Sequence, residues 1–140
     1  MRFWDSSAII PLCLKEPASH EVGRLVKADE DLVVWWVTRV ECLSALSRQR
    51  REGAIGTEAE LKAKAILSLL LSAWTEIQPS DPVRLRAERL VATHPLRAGD
   101  ALQLAAALIW AQETPQDLEF VCLDQNLRHA ALKEGFTVLP

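Results

Sequence analysis

A chain of 140 residues, 49% apolar and 25% charged with no low-complexity tract, has the length and composition of one folded domain, here residues 1–140, and not of a disordered segment. The formal net charge of −3 supplies no general pull toward a polyanion, so any contact with nucleic acid has to be built locally. Three widely spaced cysteines, Cys13, Cys42 and Cys122, argue against a disulfide framework or a cysteine-rich zinc site and are assigned to packing as reduced thiols.

The opening Met1-Arg2-Phe3-Trp4-Asp5 lacks the basic flank and apolar stretch of an export signal, which predicts a cytoplasmic protein. Arg2 to Asp5 reads as a short strand with Phe3 and Trp4 packed, followed by a Ser6-Ser7 turn and an apolar helix through Leu14. A second helix is expected over Ser19 to Ala28. Leu32-Val33-Val34-Trp35-Trp36-Val37 is a continuous apolar run of the kind found in a strand buried on both faces of a parallel sheet. Thr38-Arg39-Val40-Glu41 has the spacing of a capping box and opens a helix with Leu43, Leu46 and Arg50 on one face, ending at Gly53. Arg48, Arg50 and Arg51 crowd the end of that helix, in a chain with eleven arginines and five lysines. They suit either phosphate contact or the negative end of the helix dipole.

Thr57-Glu58-Ala59-Glu60 repeats the start signal for a helix carrying Leu67, Leu70, Leu71 and Trp74. Its most apolar run, Ala65 to Trp74, is about half of the roughly 20 residues that cross a bilayer, so it reads as a buried helix with no role at a membrane. Ser80-Asp81-Pro82 caps another helix that stops before Pro95. Gly99-Asp100 opens the next, with Ala101, Leu104, Ala105 and Leu108 facing inward. Leu118 to Leu123 is the third predicted strand and ends at Asp124. A helix through Leu132 follows, Gly135 stops it, and Phe136 to Leu139 forms the last strand. Strands alternating with helices predict an α/β fold, a three-layer α/β/α sandwich around a mostly parallel sheet.

Four carboxylates share one kind of position. Asp5 and Asp124 end predicted strands, while Glu41 and Asp100 lie in the first turns of predicted helices. In an open parallel sheet those places line the same edge, where ligands bind. Two carboxylates about 4 Å apart repel by roughly 4 kcal/mol at an effective dielectric near 20, so such a cluster requires protonation, solvation or a cation. All-oxygen ligation without His or Cys favours a hard ion, Mg²⁺ or Mn²⁺. Taken singly, each acid has a simpler account: Asp5 and Asp124 serve as N-caps, and Glu41 completes a capping box with Thr38. Asp100, after a glycine and at the head of the most apolar helix, is the least easily explained that way.

These residues resemble the PIN-domain ribonucleases, and in particular the VapC toxins of type II toxin-antitoxin systems. Phe3-Trp4-Asp5-Ser6-Ser7-Ala8 is similar to the family's opening block, and Thr38 to Leu46 to its second. Arg97-Ala98-Gly99-Asp100-Ala101-Leu102-Gln103-Leu104 resembles the third, and Phe120-Val121-Cys122-Leu123-Asp124 with Gly135 to Leu139 the fourth. One departure is Cys122, where many relatives carry Thr or Ser. The resemblance implies metal-dependent hydrolysis of an RNA phosphodiester, with Asp5 and Asp100 as ligands, Glu41 as a ligand or holder of water, Asp124 as the fourth corner and Ser6 as support beside Asp5. Thr38 and Arg48 are added as support or substrate contacts. The implied partners are a second copy of the chain, giving a homodimer, and a cognate antitoxin that blocks the acidic groove. Trp35, Trp36, Trp74 and Trp110 are expected mainly in the core, with some aromatic surface left for such contacts, and His20, His94 and His129 on the surface. Two other readings stand beside this one. A phosphatase forming an aspartyl phosphate wants a second Asp two residues after the first, where this chain has Ser7. A non-catalytic protein- or RNA-binding module of the same fold has no need of the acidic set.

Overall fold

Short apolar runs that cannot cover both their faces alone pair edge to edge, and here they form one five-stranded sheet. The computed structural model describes all of residues 1–140. In chain order the elements are β1 (Arg2–Trp4), α1 (Ser6–Cys13), α2 (Ser19–Ala28), β2 (Leu32–Trp35), α3 (Thr38–Arg51), α4 (Thr57–Leu71), β3 (Thr75–Ile77), α5 (Asp81–Thr93), α6 (Ala98–Trp110), β4 (Glu119–Val121), α7 (Gln125–Glu134) and β5 (Thr137–Leu139). The strands lie in the order β3-β2-β1-β4-β5 and every neighbouring pair is parallel.

Because successive strand residues point to opposite faces, the sheet feeds two cores. Phe3, Val33 and Phe120 face α5, α6 and α7; Trp4, Val34 and Val121 face α1 to α4. This is the three-layer α/β/α sandwich. The rings of Phe3 and Phe120 stack across β1 and β4 with centroids 5.5 Å apart. On α6 the fully buried Ala101, Ala105, Ala106 and Ala107 let the helix approach closely, which small side chains allow and large ones prevent. Ser80 caps α5 through Val83 N, and Gly135 ends α7 at φ 109°, a left-handed conformation that glycine adopts without a Cβ penalty.

The strand order positions the site. From β1 the chain winds outward to β2 and β3, then returns to lay β4 on the other side of β1 and continues outward to β5. Connections therefore leave β1 and β4 in opposite directions, which opens a crevice at their carboxyl ends.

Several expectations are corrected. A fifth strand, β3, lies at the sheet edge. The strand expected to reach Val37 stops at Trp35, and Trp36 turns outward, half exposed. The α4 helix is not buried: Ala63 and Leu67 face the core, whereas Leu61 and Leu69 are 63% and 71% exposed. Thr38 does not cap α3; Val37 occupies the cap position, and the Thr38 side chain is buried. Nor is His94 a surface residue. It is 7% exposed, with Nε2 2.7 Å from Glu134 Oε1, while Arg89 holds the other oxygen of Glu134. All three cysteines are buried and free. No helix is long and apolar enough to cross a membrane.

Candidate active site

Asp5 follows β1 directly and caps α1, its Oδ2 accepting from the Ser7 backbone N–H at 3.0 Å. Its own N–H donates to Val121 O, so it is tied to β4 as well as to β1. Asp124 is the counterpart after β4: it caps α7, with Oδ1 accepting from Leu127 N–H at 2.8 Å. Both aspartates therefore are N-caps, and both stand at the crevice that the strand order opens. Glu41 comes from the first turn of α3 and Asp100 from the first turn of α6. One groove is lined by all four, together with Ser6, Ser7, Glu16, Ser44, Arg48 and Gln49. Residues from four separate segments thus meet at one sheet edge.

The acids sense one another. Burial raises the Asp5 carboxyl above the ordinary aspartate range, opposed by hydrogen bonds from Ser7 and reinforced by the Asp100 charge. Glu41 is likewise raised, first by burial and then by Asp5, although Gln103 and Ser6 favour its charged form. Asp100 is raised by burial and by Asp124, with Arg97 acting the other way. Three carboxylates held partly out of water and within range of each other are costly as anions, a cost that a cation offsets.

The supporting shell explains how they are held. Gln103, three residues beyond Asp100 on α6, donates from Nε2 to Glu41 Oε2 at 2.6 Å and to Thr38 Oγ1 at 3.3 Å. Its Oε1 is buried without a partner. The amide nitrogen is the end that faces Glu41, because a carbonyl oxygen there would repel a carboxylate. Thr38 therefore supports from below the groove and does not line it. Ser7 Oγ accepts from Leu123 N–H at 2.9 Å, joining the β1 turn to the β4 turn. The Cys122 thiol contacts Asp5 Oδ2 at 3.7 Å, and burial together with the Asp5 charge pushes its pKa well up, so it stays a neutral donor beside that carboxylate. Ser6 and Arg48 both line the groove, Arg48 about two helical turns along α3 from Glu41.

Sequence reasoning missed Gln103, Glu16 and Gln49. A signal for Gln103 was present: it is the one amide in an alanine- and leucine-rich helix face, and a buried polar group needs a reason to be there. Glu16 and Gln49 gave none, since their pairing, Nε2 to Oε1 at 3.1 Å, joins residues 33 positions apart.

The residues present fit a hard divalent cation. No three side chains close on a single point, yet Mg²⁺ keeps several waters and needs only one or two carboxylates directly. The second oxygens of Asp5 and Asp124 carry no protein hydrogen bond.

The family model described as "PIN domain" matches residues 2–133. The chain belongs to the PIN domain family. Solved structures place the PIN fold in wider company. PAE2754 from Pyrobaculum aerophilum is 20% identical, with a TM-score of 0.68 over 98% of this chain and 87% of that one. A toxin-antitoxin complex from Klebsiella pneumoniae is 17% identical, with a TM-score of 0.67 over 98% and 97%. VapBC2 from Rickettsia felis, bound to a DNA fragment from its promoter, is 12% identical, with a TM-score of 0.67 over 99% and 98%. No curated protein matches the chain at a significant level.

Proposed function

We propose that this PIN domain is an Mg²⁺-dependent endoribonuclease, with Mn²⁺ as an alternative ion, acting in the cytoplasm as the toxin of a toxin-antitoxin pair. One observation carries the reading: Asp5, Glu41, Asp100 and Asp124, scattered along the chain, line a single groove at the switch point of a parallel sheet. Asp5 and Asp100 are the primary holders of the ion. Glu41, steadied by Gln103, and Asp124, fixed through Oδ1 by α7, complete the ring. The chemistry that a bound cation supplies is charge neutralisation at the phosphate and activation of water for in-line displacement. Water adds to phosphorus, the bond to the leaving ribose oxygen breaks, and no side chain becomes covalently attached. Ser7, at the place where an aspartyl-phosphate enzyme keeps its second acid, is instead engaged in fixing the Leu123 turn.

The partner assignments rest on the toxin-antitoxin complex among the similar structures and on surface chemistry. Leu61 and Leu69 on α4, together with Trp36 and Val40, leave apolar area open to solvent. Such patches suit a protein partner better than water, and we assign them to an antitoxin and to a second copy of the chain. The test of the activity is direct: purified protein cleaves a mixed-sequence RNA with Mg²⁺, and cleavage stops with EDTA and in a folded Asp100→Asn variant. Cleavage of equal rate in EDTA, or in that variant, refutes the assignment.

A further inference from the structure

The groove does not end at the acids. Along α3 its wall is formed by Glu41, Ser44, Ala45, Arg48 and Gln49, the steps of three and four that place residues on one face of a helix. Seven residues of helix set Arg48 about 10 Å along the axis from Glu41. Arg48 is the only Lys or Arg among the residues that line the groove. It takes part in no salt bridge, unlike Arg50 two positions on, which pairs with Glu60 and Thr57 outside the groove. Glu16, the acid at this end, accepts instead from Gln49. The groove is therefore uneven in charge: four carboxylates gather at one end, while the other holds one carboxylate, Glu16, and the Arg48 guanidinium.

That polarity matches a polymer of phosphates better than a single phosphate. A strand whose reacting phosphate lies over a cation at the acidic end brings further phosphates along the same groove, where uncompensated carboxylates would repel them. A guanidinium about two helical turns away offsets that repulsion and presents paired donors to phosphate oxygens. We infer that the distal end of the groove is a subsite for a flanking backbone phosphate of the RNA, with Arg48 as its ligand. This rests on the ribonuclease reading and specifies how its substrate is oriented.

The test measures binding of a short single-stranded RNA by Asp100→Asn protein in Mg²⁺, with and without Arg48→Gln, across a range of salt. Arg48→Gln weakens binding about fivefold near 0.1 M salt and reduces the slope of log K against log salt by about 0.7, the release expected for one lost contact to a single strand. Arg48→Lys recovers most of the slope. A single uncharged methylphosphonate is then moved along the RNA. One position, beside but not at the cleaved linkage, weakens binding to the parent and has no further effect with Arg48→Gln. Equal affinities and slopes, or a linkage effect that persists without Arg48, overturn the subsite while leaving wild-type cleavage intact. Absence of both RNA cleavage and RNA binding by the wild-type protein overturns the nuclease reading together with it.

Discussion

Gln103 Nε2 lies 2.6 Å from Glu41 Oε2, linking the helix that supplies Asp100 to the helix that supplies Glu41. Gln103 is 1% exposed and leaves its own Oε1 unpartnered, an arrangement that costs stability. It is intelligible if the amide serves to aim Glu41. Replacement by leucine fills similar volume and removes the donor. Gln103→Leu is expected to fold, to melt within a few degrees of the parent because relief of the orphaned Oε1 is set against loss of the donor to Glu41 and Thr38, and to lose roughly 10- to 100-fold in cation affinity or cleavage rate, the usual effect of losing a partner that orients a ligand. Titration of Mn²⁺ beside a thermal melt checks both halves.

Removing charge from the groove should stabilise the cation-free protein. Asp5, Glu41 and Asp100 all have carboxyls raised above their ordinary values by burial and by one another. The folded state then binds more protons than the unfolded one between the unfolded carboxylate pKa, about 4, and the raised folded values, so stability from these groups falls as pH rises through that window. In EDTA, Asp100→Asn and Glu41→Gln are expected to raise the Tm by a few degrees at pH 7 and by less at pH 4. Added Mg²⁺ should reverse the ranking at pH 7. Melting curves at the two pH values, with and without the ion, decide it.

The Glu134 cluster has the opposite slope. Burial pushes Glu134 up, but hydrogen bonds from His94 and Arg89 more than offset this and hold its carboxyl below the usual glutamate range. Its contribution is present above the unfolded carboxylate pKa and is lost as pH falls through the folded one. Glu134→Gln, which loosens α7 from the end of α5, should cost about 1 kcal/mol at pH 7 and nothing measurable near pH 3. Urea denaturation of the two proteins at both pH values measures the difference.

Two leucines two positions apart on α4 separate the covered face of the helix from the open one. Leu67 is 1% exposed within the core of Trp4, Val34 and Leu46, whereas Leu69 is 71% exposed. Leu67→Ala should cost about 2–5 kcal/mol, and Leu69→Ala should stay within about 0.5 kcal/mol. A large loss at Leu69 in dilute monomeric protein would mean that the outer face of α4 is covered after all.

Much of this architecture was legible because its signals are local. Asp5 and Asp124 follow apolar runs and precede helices, so their place at a sheet edge follows from chain direction alone, and the Ser80 and Gly135 caps fall where their chemistry puts them. What escaped depends on contacts distant in sequence. The strand Thr75–Ile77 has three residues, none fully buried, and exists because Trp35 pairs with Ile77. His94 is inside only because Glu134 comes to meet it, 40 residues later. The leucines of α4 are apolar on every side, and hydropathy does not say which side another helix covers. Thr38 carried a capping signal, but the helix starts with it rather than after it, which turns its hydroxyl toward Gln103.

Binding of Mn²⁺, followed by the loss of its free EPR signal, bears most directly on the claim that the four acids form one cation site. Wild-type protein is expected to bind the ion in competition with Mg²⁺, and folded Asp5→Asn and Asp100→Asn are each expected to bind at least tenfold more weakly. Wild-type affinity in both variants, with native melting curves, would contradict the account, because the groove at the β1–β4 switch point would then not be where the ion is held.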